Sequence, residues 1–172
     1  MMDEEKELLK EISSDPYDAS DKPFDFIEEG IETALVCEYD SSIRVKIVDD
    51  LKKEGYYITE ASSAREALKS MRFHVYQLIV VNEVYETSDP GSNVVIESLN
   101  RLPISIRRNI FVVLISSMFR TLDNMAAFNR SVNIIINEEN IDDFGAVVKC
   151  GLAENEAFYQ VFRETLRNTG RI

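Results

Sequence analysis

Three short segments of this sequence are apolar at nearly every position, and they limit the possible folds more than any other feature. The segments span residues 76–81, 109–115 and 132–136. A strand that alternates polar and apolar residues has one face in solvent, whereas a strand that is apolar throughout is buried on both faces. The sequence therefore favours a sheet that is covered by helices on both sides.

Strand and helix patterns alternate along the chain. Two further strands are predicted at residues 34–38 and 56–60, and helical patterns follow at about 42–54, 62–72, 93–100, 122–129 and 141–168. This alternation predicts an α/β fold, with a doubly wound, flavodoxin-like sheet of five parallel strands in the order 2-1-3-4-5. Ligands of such sheets bind at the carboxyl ends of the strands. No glycine-rich loop follows a predicted strand, so neither a dinucleotide site nor a P-loop is indicated.

Charge is distributed unevenly along the chain and marks off its N-terminal segment. The chain of 172 residues has a net charge of −12, and residues 1–33 alone have a net charge of −9. We predict an acidic arm and linker over residues 1–32, a folded domain over residues 33–150, and a C-terminal helical extension over residues 151–172. Within the arm, Phe24, Phe26 and Ile27 are apolar enough that we expect them to dock on the domain.

Composition excludes several classes of function. An acidic chain without a basic stripe is not expected to bind nucleic acid. The longest apolar stretch is too short to span a membrane, and the acidic N-terminus does not resemble a secretory signal, so a cytoplasmic location is expected. Cys37 and Cys150 are far apart in sequence, so we expect no disulfide and no zinc site. With His74 as the single histidine, the sequence predicts no metal site and no cofactor.

Polar residues stand where the predicted strands end. Glu38, Tyr39 and Asp40 follow the first strand, Asn82 ends the third, and Ser116 (or Ser117) ends the fourth. Asn137 follows the fifth strand and precedes Glu138. Parallel strands bring their carboxyl ends to one edge of the sheet, so these side chains form the candidate site.

Residues 33–150 resemble the receiver domains of bacterial two-component response regulators in element order and spacing. The resemblance places Glu38 and Tyr39 at the acidic pair that holds magnesium in the family. Asn82 falls at the phosphoacceptor aspartate, and Ser116 at the Ser or Thr that switches conformation. Asn137 falls at the phosphate-binding lysine, and Glu138 takes the place of the proline that follows it.

The departures from the family pattern remove its chemistry. Asn82 has no carboxylate to form an acyl phosphate, Tyr39 is a poor magnesium ligand, and Asn137 lacks the charge that pairs with a phosphoryl group. Glu83 is not a replacement acceptor, because its side chain points to the opposite side of the strand. The resemblance therefore implies a pseudo-receiver, without catalytic residues, that acts through protein–protein interaction in a two-component or phosphorelay context.

Two questions stay open on the sequence alone. The pocket at the strand ends also fits a flavodoxin-like small-molecule sensor, or an enzyme that uses Glu38, Asp40 and Ser116. The second question concerns the face made by the fourth helix, the fifth strand and the C-terminal helix. This face either forms a homodimer or is capped by the chain's own tail, and its apolar residues are Met125, Phe128, Val147, Phe158, Phe162 and Leu166.

Overall fold

The computed structural model describes residues 30–87 and 92–170. Almost all of the predicted acidic arm, including Phe24, Phe26 and Ile27, lies outside these ranges. So does part of the predicted turn cluster near residue 90.

The centre of the molecule is a sheet of five parallel strands in the order β2-β1-β3-β4-β5. The predicted α/β class, strand direction and strand order are therefore confirmed. Every residue of β1, β3 and β4 is buried, as expected for strands that are apolar on both faces. The strands are β1 Thr33–Cys37, β2 Tyr57–Glu60, β3 Leu78–Asn82, β4 Phe111–Ser116 and β5 Ile134–Asn137.

Helices connect successive strands, and their bounds lie within a few residues of the predicted ones. One short helix, Ile104–Arg107, was not predicted, and Pro103 precedes it as the N-cap residue. A 3-10 helix, Glu138–Asp143, joins β5 to the last helix. The five main helices are α1 Ser41–Lys53, α2 Ala64–Phe73, α3 Val94–Asn100, α4 Asn124–Arg130 and α5 Phe144–Asn168.

Side-chain caps fix where the helices begin. The Asp40 carboxylate accepts hydrogen bonds from the backbone N–H groups of Ser42 and Ile43 at the start of α1. At α2 the cap is Ser63 and not its neighbour Ser62. The Ser63 hydroxyl accepts a hydrogen bond from the Glu66 N–H, whereas Ser62 donates to the Glu66 carboxylate.

Helices cover both faces of the sheet, which makes the fold doubly wound. Ile47 and Leu51 of α1 pack with Phe144 and Val148 of α5 against one face. Residues of α2, α3 and α4 pack against the other face, among them Ala67, Leu99 and Ala127. Successive strand residues therefore point alternately toward the α1/α5 face and the α2/α3/α4 face. This alternation decides which polar residues at the strand ends can meet.

The C-terminal helix α5 is one continuous helix of 25 residues. Neither Gly151 nor Asn155 interrupts it. Gly151 lies inside the helix and packs so closely on the sheet that a Cβ there would approach Phe111 and Ile134 to 3.0 and 3.1 Å. From residue 156 to residue 168 no side chain is buried, so the second half of α5 projects from the domain. Within the described ranges, no helix combines the length and the apolar character that a membrane span requires.

Candidate functional site

The predicted site residues meet at the carboxyl edge of the sheet, where β1, β3, β4 and β5 end. The strand register places Cys37 beside Val81, and Ser116 beside Asn137. Glu38, Asn82 and Ser116 are buried. The alternation of side chains then divides this edge into two polar clusters, one on each face of the sheet.

The first cluster is centred on the side-chain amide of Asn82. Its Nδ2 donates to Glu38 Oε2 at 2.9 Å and to Glu138 Oε1 at 3.3 Å. Its Oδ1 accepts a hydrogen bond from the Val84 N–H at 3.0 Å. All of the polar atoms of this side chain are thus used, and its two N–H donors lie between two carboxylates.

Glu38 is the buried acid of this cluster, with 1% of its surface exposed. Burial raises the pKa of its carboxyl, and the negative charge of Glu138 raises it further. Hydrogen bonds from Asn82 and from the backbone N–H of Asp40 oppose that rise in pKa. The amide of Asn82 therefore helps to hold a carboxylate in a place that disfavours its charge.

Two of the predicted site residues on the β1–α1 loop face elsewhere. Tyr39 is 57% exposed and does not enter the cluster. Asp40 is engaged as the helix cap, and its hydrogen bonds to Ser42 and Ile43 lower the pKa of its carboxyl. The acidic group that the sequence placed at this edge is therefore reduced to Glu38, joined by Glu138.

The second cluster lies on the α2/α3/α4 side and contains Ser116, Glu83 and Arg130. The Ser116 hydroxyl donates to Glu83 Oε2 at 2.5 Å and accepts from the backbone N–H groups of Met118 and Phe119. The other Glu83 oxygen, Oε1, forms an ion pair with Arg130 Nη2 at 3.0 Å. A buried carboxylate and a buried hydroxyl are thus fixed to the loop and helix after β4.

The sequence analysis did not predict Glu83 as the partner of Ser116, or Arg130 as the partner of Glu83. The expectation that Glu83 points away from Asn82 agrees with the two clusters, since Glu83 bonds to Ser116 while Asn82 bonds to Glu38. Its burial could have been inferred, because a residue that faces the core at the end of a central strand needs a partner for its charge. Arg130 carries no such signal, because its pairing with Glu83 depends on tertiary structure.

Asn137 belongs to neither cluster. Its Nδ2 donates to the carbonyl of Phe119 at 2.7 Å, and its Oδ1 accepts from the Glu139 N–H at 2.9 Å. The side chain therefore ties β5 to the loop after β4 and caps the 3-10 helix. The structure brings Glu38, Asn82 and Glu138 together, places Ser116 in a separate cluster, and leaves Tyr39 and Asn137 outside both.

Receiver domains hold magnesium at this edge, and the donor set here does not fit that ion. Magnesium needs several oxygen ligands around one point. Between Glu38 and Glu138 the group that points inward is the N–H donor of Asn82. Within residues 30–87 and 92–170, no group of three or more His, Cys, Asp or Glu side chains is placed to hold a metal ion.

Solved structures that are similar to this one include receiver domains and response regulators. A CheY-like receiver domain protein from Methanospirillum hungatei is 20% identical, with a TM-score of 0.54 over 74% of this chain and 98% of that one. The receiver domain of Francisella response regulator 1452 is 19% identical, with a TM-score of 0.56 over 72% of this chain and 98% of that one. A Thermotoga maritima response regulator is 17% identical, with a TM-score of 0.54 over the same shares of the two chains, 72% and 98%.

This chain has the receiver fold. The aligned part is about three quarters of the chain and nearly all of each receiver structure. No protein-family model matches the sequence, and no curated protein matches it as a relative. The similarity to receiver domains is thus a similarity of fold. The side chains at the carboxyl edge have to be described from this chain alone.

Proposed function

We propose that this chain is a pseudo-receiver: a cytoplasmic, receiver-like signalling module that acts by protein–protein interaction in a two-component or phosphorelay context and is not itself phosphorylated. The observation that supports this most is the Asn82 amide, which donates to Glu38 and Glu138 at the place where a receiver needs a carboxylate nucleophile and a metal ion. An amide nitrogen bonded to two carboxylates offers no electron pair for attack on phosphorus.

The surroundings of Asn82 agree with this proposal. Phosphoryl transfer depends on cations that neutralise the transferred group. The family's lysine position is Asn137, whose side chain is bonded to the Phe119 carbonyl, and Arg130 is paired with Glu83. Neither residue offers a positive charge to the space beside Asn82.

Phosphorylation chemistry tests the proposal directly. We expect no mass increase of one phosphate after treatment with acetyl phosphate and Mg²⁺, and no rise in melting temperature with beryllofluoride and Mg²⁺. Asn82→Asp alone is expected to stay inert, and Tyr39→Asp/Asn82→Asp/Asn137→Lys, which supplies the acid, the acceptor and the lysine together, is the variant that can regain phosphorylation. An acid-stable, base-labile phosphate on the unaltered chain would overturn the proposal.

The interaction surface that we propose is the face of α4, β5 and α5, with a second copy of this chain as its occupant. Phe128 on α4 and Phe158 on α5 are each 79% exposed, and Met125 and Val161 are also exposed. Apolar side chains of this size and number mark association surfaces. No side chain of residues 156–168 is fully buried in its own domain, although the Phe162 ring contacts Arg108. This exposure favours a dimer over an internal cap.

Sedimentation of matched variants tests the dimer. Phe158→Glu/Val161→Glu is expected to shift the chain from dimer to monomer, while Gln160→Glu/Ala157→Glu, which alters exposed positions of the same helix, is expected to leave the dimer intact. A monomeric unaltered chain, or a dimer that survives Phe158→Glu/Val161→Glu, would show that this face is not the contact.

The alternative of a ligand-binding or enzymatic pocket at the carboxyl edge is not favoured. Glu38 and Asn82 are buried and bonded to each other, Asp40 caps α1, and Ser116 is bonded to Glu83. A ligand at this edge would have to displace these hydrogen bonds.

A further inference from the structure

One face of α2 is basic, although the chain as a whole is acidic. Arg65, Lys69 and Arg72 are spaced four and three residues apart, so they lie along one side of the helix. Glu66 is the only acid within α2. We define the basic face of α2 as Arg65, Lys69 and Arg72.

The end of this face lies beside the point where the acidic segment joins the domain. Thr33, the first residue of β1, bonds to the side chains just after α2: its backbone N–H donates to Gln77 Oε1, and its hydroxyl lies 2.8 Å from His74 Nε2. The Glu32 carbonyl accepts from the Tyr57 N–H of the edge strand β2. The chain therefore enters the fold between β2 and the C-terminal end of α2.

The segment before this junction complements the basic face. Residues 1–29 contain 11 acidic and 3 basic side chains. Just before the junction, the run Phe24-Asp25-Phe26-Ile27-Glu28-Glu29 combines acids with large apolar residues. Near the end of α2, Phe73 is partly exposed and Val75 is 49% exposed, which gives those apolar residues a place to pack.

The segment before the junction is long enough to reach along the whole of α2. The ten residues of α2 extend about 15 Å, and an extended chain covers about 3.3 Å per residue. Five or six residues before the junction are therefore enough to run the length of the helix. A short tether also raises the effective concentration of the segment, so weak individual contacts suffice.

We propose that the acidic segment of residues 1–29 docks, within the same chain, on the basic face of α2, with its carboxylates against Arg65, Lys69 and Arg72 and its apolar residues near Phe73 and Val75. The occupant of this surface is then the chain's own arm. Docking would cover α2 and the adjoining edge of β2, and a partner of that surface would first have to displace the arm. The inference does not depend on the proposed pseudo-receiver function.

A second cluster of positive charge provides the competing site. Arg108, Arg163 and Arg167 line a cavity of about 530 Å³ beside the projecting half of α5, together with Phe162. Arg108 lies over the Phe162 ring at 4.5 Å. The α2 face is favoured because the chain enters beside His74 and Gln77 at its end, and the α5 cluster serves as the matched control.

Zero-length carbodiimide cross-linking tests the proposal with native residues, because it joins only carboxylates and amines that touch. Among the lysines of the described ranges, Lys69 alone lies on α2, while Lys46, Lys52, Lys53 and Lys149 lie on α1 and α5. We expect cross-links from acids of residues 1–29 to Lys69, within a single chain, and a strong decrease of their yield in 1 M salt, where the screening length is about 3 Å.

Charge-reversed variants make the test specific. Arg65→Glu/Arg72→Glu keeps Lys69 as the reporter and is expected to lower the cross-link yield about tenfold, since several surface ion pairs are lost together. Arg163→Glu/Arg167→Glu makes the same charge change at the α5 cluster and is expected to leave the yield unchanged. The proposal fails if the arm cross-links mainly to lysines of α1 or α5, if the α5 variant lowers the Lys69 yield, or if the arm gives no cross-links to the domain. Cross-links between isotopically distinct chains in a mixed sample would show docking between chains and would also overturn it.

Discussion

Asn82 shows how one atom changes the chemistry of a site. An aspartate there would add a third carboxylate to Glu38 and Glu138, and only a cation could hold the three together. The amide instead supplies two N–H donors, so the two carboxylates are bridged by the protein itself. The raised pKa of Glu38 shows that even this arrangement strains the charged form.

Replacing Asn82 by Asp is expected to lower the free energy of unfolding by about 2–4 kcal/mol at pH 7, because a buried charge gains like-charged neighbours and loses its hydrogen bonds. The deficit should shrink as the pH falls toward 5. A carboxyl whose folded-state pKa is raised binds its proton more tightly in the folded chain, so stability increases as the pH falls through that folded pKa toward the unfolded value.

Urea unfolding at pH 7, 6 and 5 measures this dependence. Asn124→Asp is the control, because Asn124 is exposed at the start of α4, and a change of less than about 0.5 kcal/mol is expected there. An Asn82→Asp chain as stable as the unaltered chain at pH 7, without added metal, would contradict the hydrogen-bond arrangement at the carboxyl edge.

At the scale of elements, the fold could be predicted from the sequence because the buried strands are recognisable as short apolar segments. β3 and β4 are apolar throughout and buried throughout. The first residue of a helix was harder to predict, because neighbouring residues such as Ser62 and Ser63 can both act as its cap. The pairing of Glu83 with Arg130 and the bond from Asn137 to Phe119 could not be predicted, because each joins distant parts of the chain without any periodic pattern.

Gly151 lies inside α5, where a glycine usually weakens a helix. Here the missing side chain lets the helix approach β4 and β5. Gly151→Val is expected to destabilise the fold by about 1–3 kcal/mol, since Phe111 and Ile134 are buried and have little room to shift.

Thermal unfolding measures the effect, with Ala153→Val as the matched control. Ala153 is exposed on the same helix. A valine there is expected to lower the free energy of unfolding by only about 0.5 kcal/mol, because of its lower helix propensity. If both variants lose the same stability, the close approach of α5 to the sheet is not a packing contact.

For the whole molecule, the contacts in the structure extend the folded domain past the boundary predicted at residue 150. The sequence suggested that an extension begins at residue 151, whereas Gly151 is buried and Asn155 accepts a hydrogen bond from the Asn133 side chain. Contacts with the sheet thus continue through Asn155, and no side chain of residues 156–168 is fully buried. The domain that folds as a unit is expected to end at residue 155.

Truncation after Asn155 is therefore expected to change the free energy of unfolding of the monomeric chain by less than about 0.5 kcal/mol. Truncation after Lys149 removes the contacts of Gly151 and Leu152 with the core and is expected to cost about 2 kcal/mol or more. Both truncated chains lack Phe158 and Val161. Their reference is therefore the full-length Phe158→Glu/Val161→Glu chain, in which association does not contribute, and urea unfolding measures all three chains. Equal stability of the two truncated chains would place the domain boundary before residue 150.

Because α5 is unbroken from Phe144 to Asn168, it acts as a stiff lever of about 37 Å. It is anchored on the sheet by the buried pair Phe144 and Val148. The 3-10 helix before it carries Glu138, the acid hydrogen-bonded to Asn82, and a kink at Asn140 lies between Glu138 and α5. A tilt of α5 by about 10° about Phe144 and Val148 would carry its far end through about 6 Å, given the rise of a helix per residue. A small change in how α5 packs on the sheet would therefore be enlarged to several ångströms at its tip.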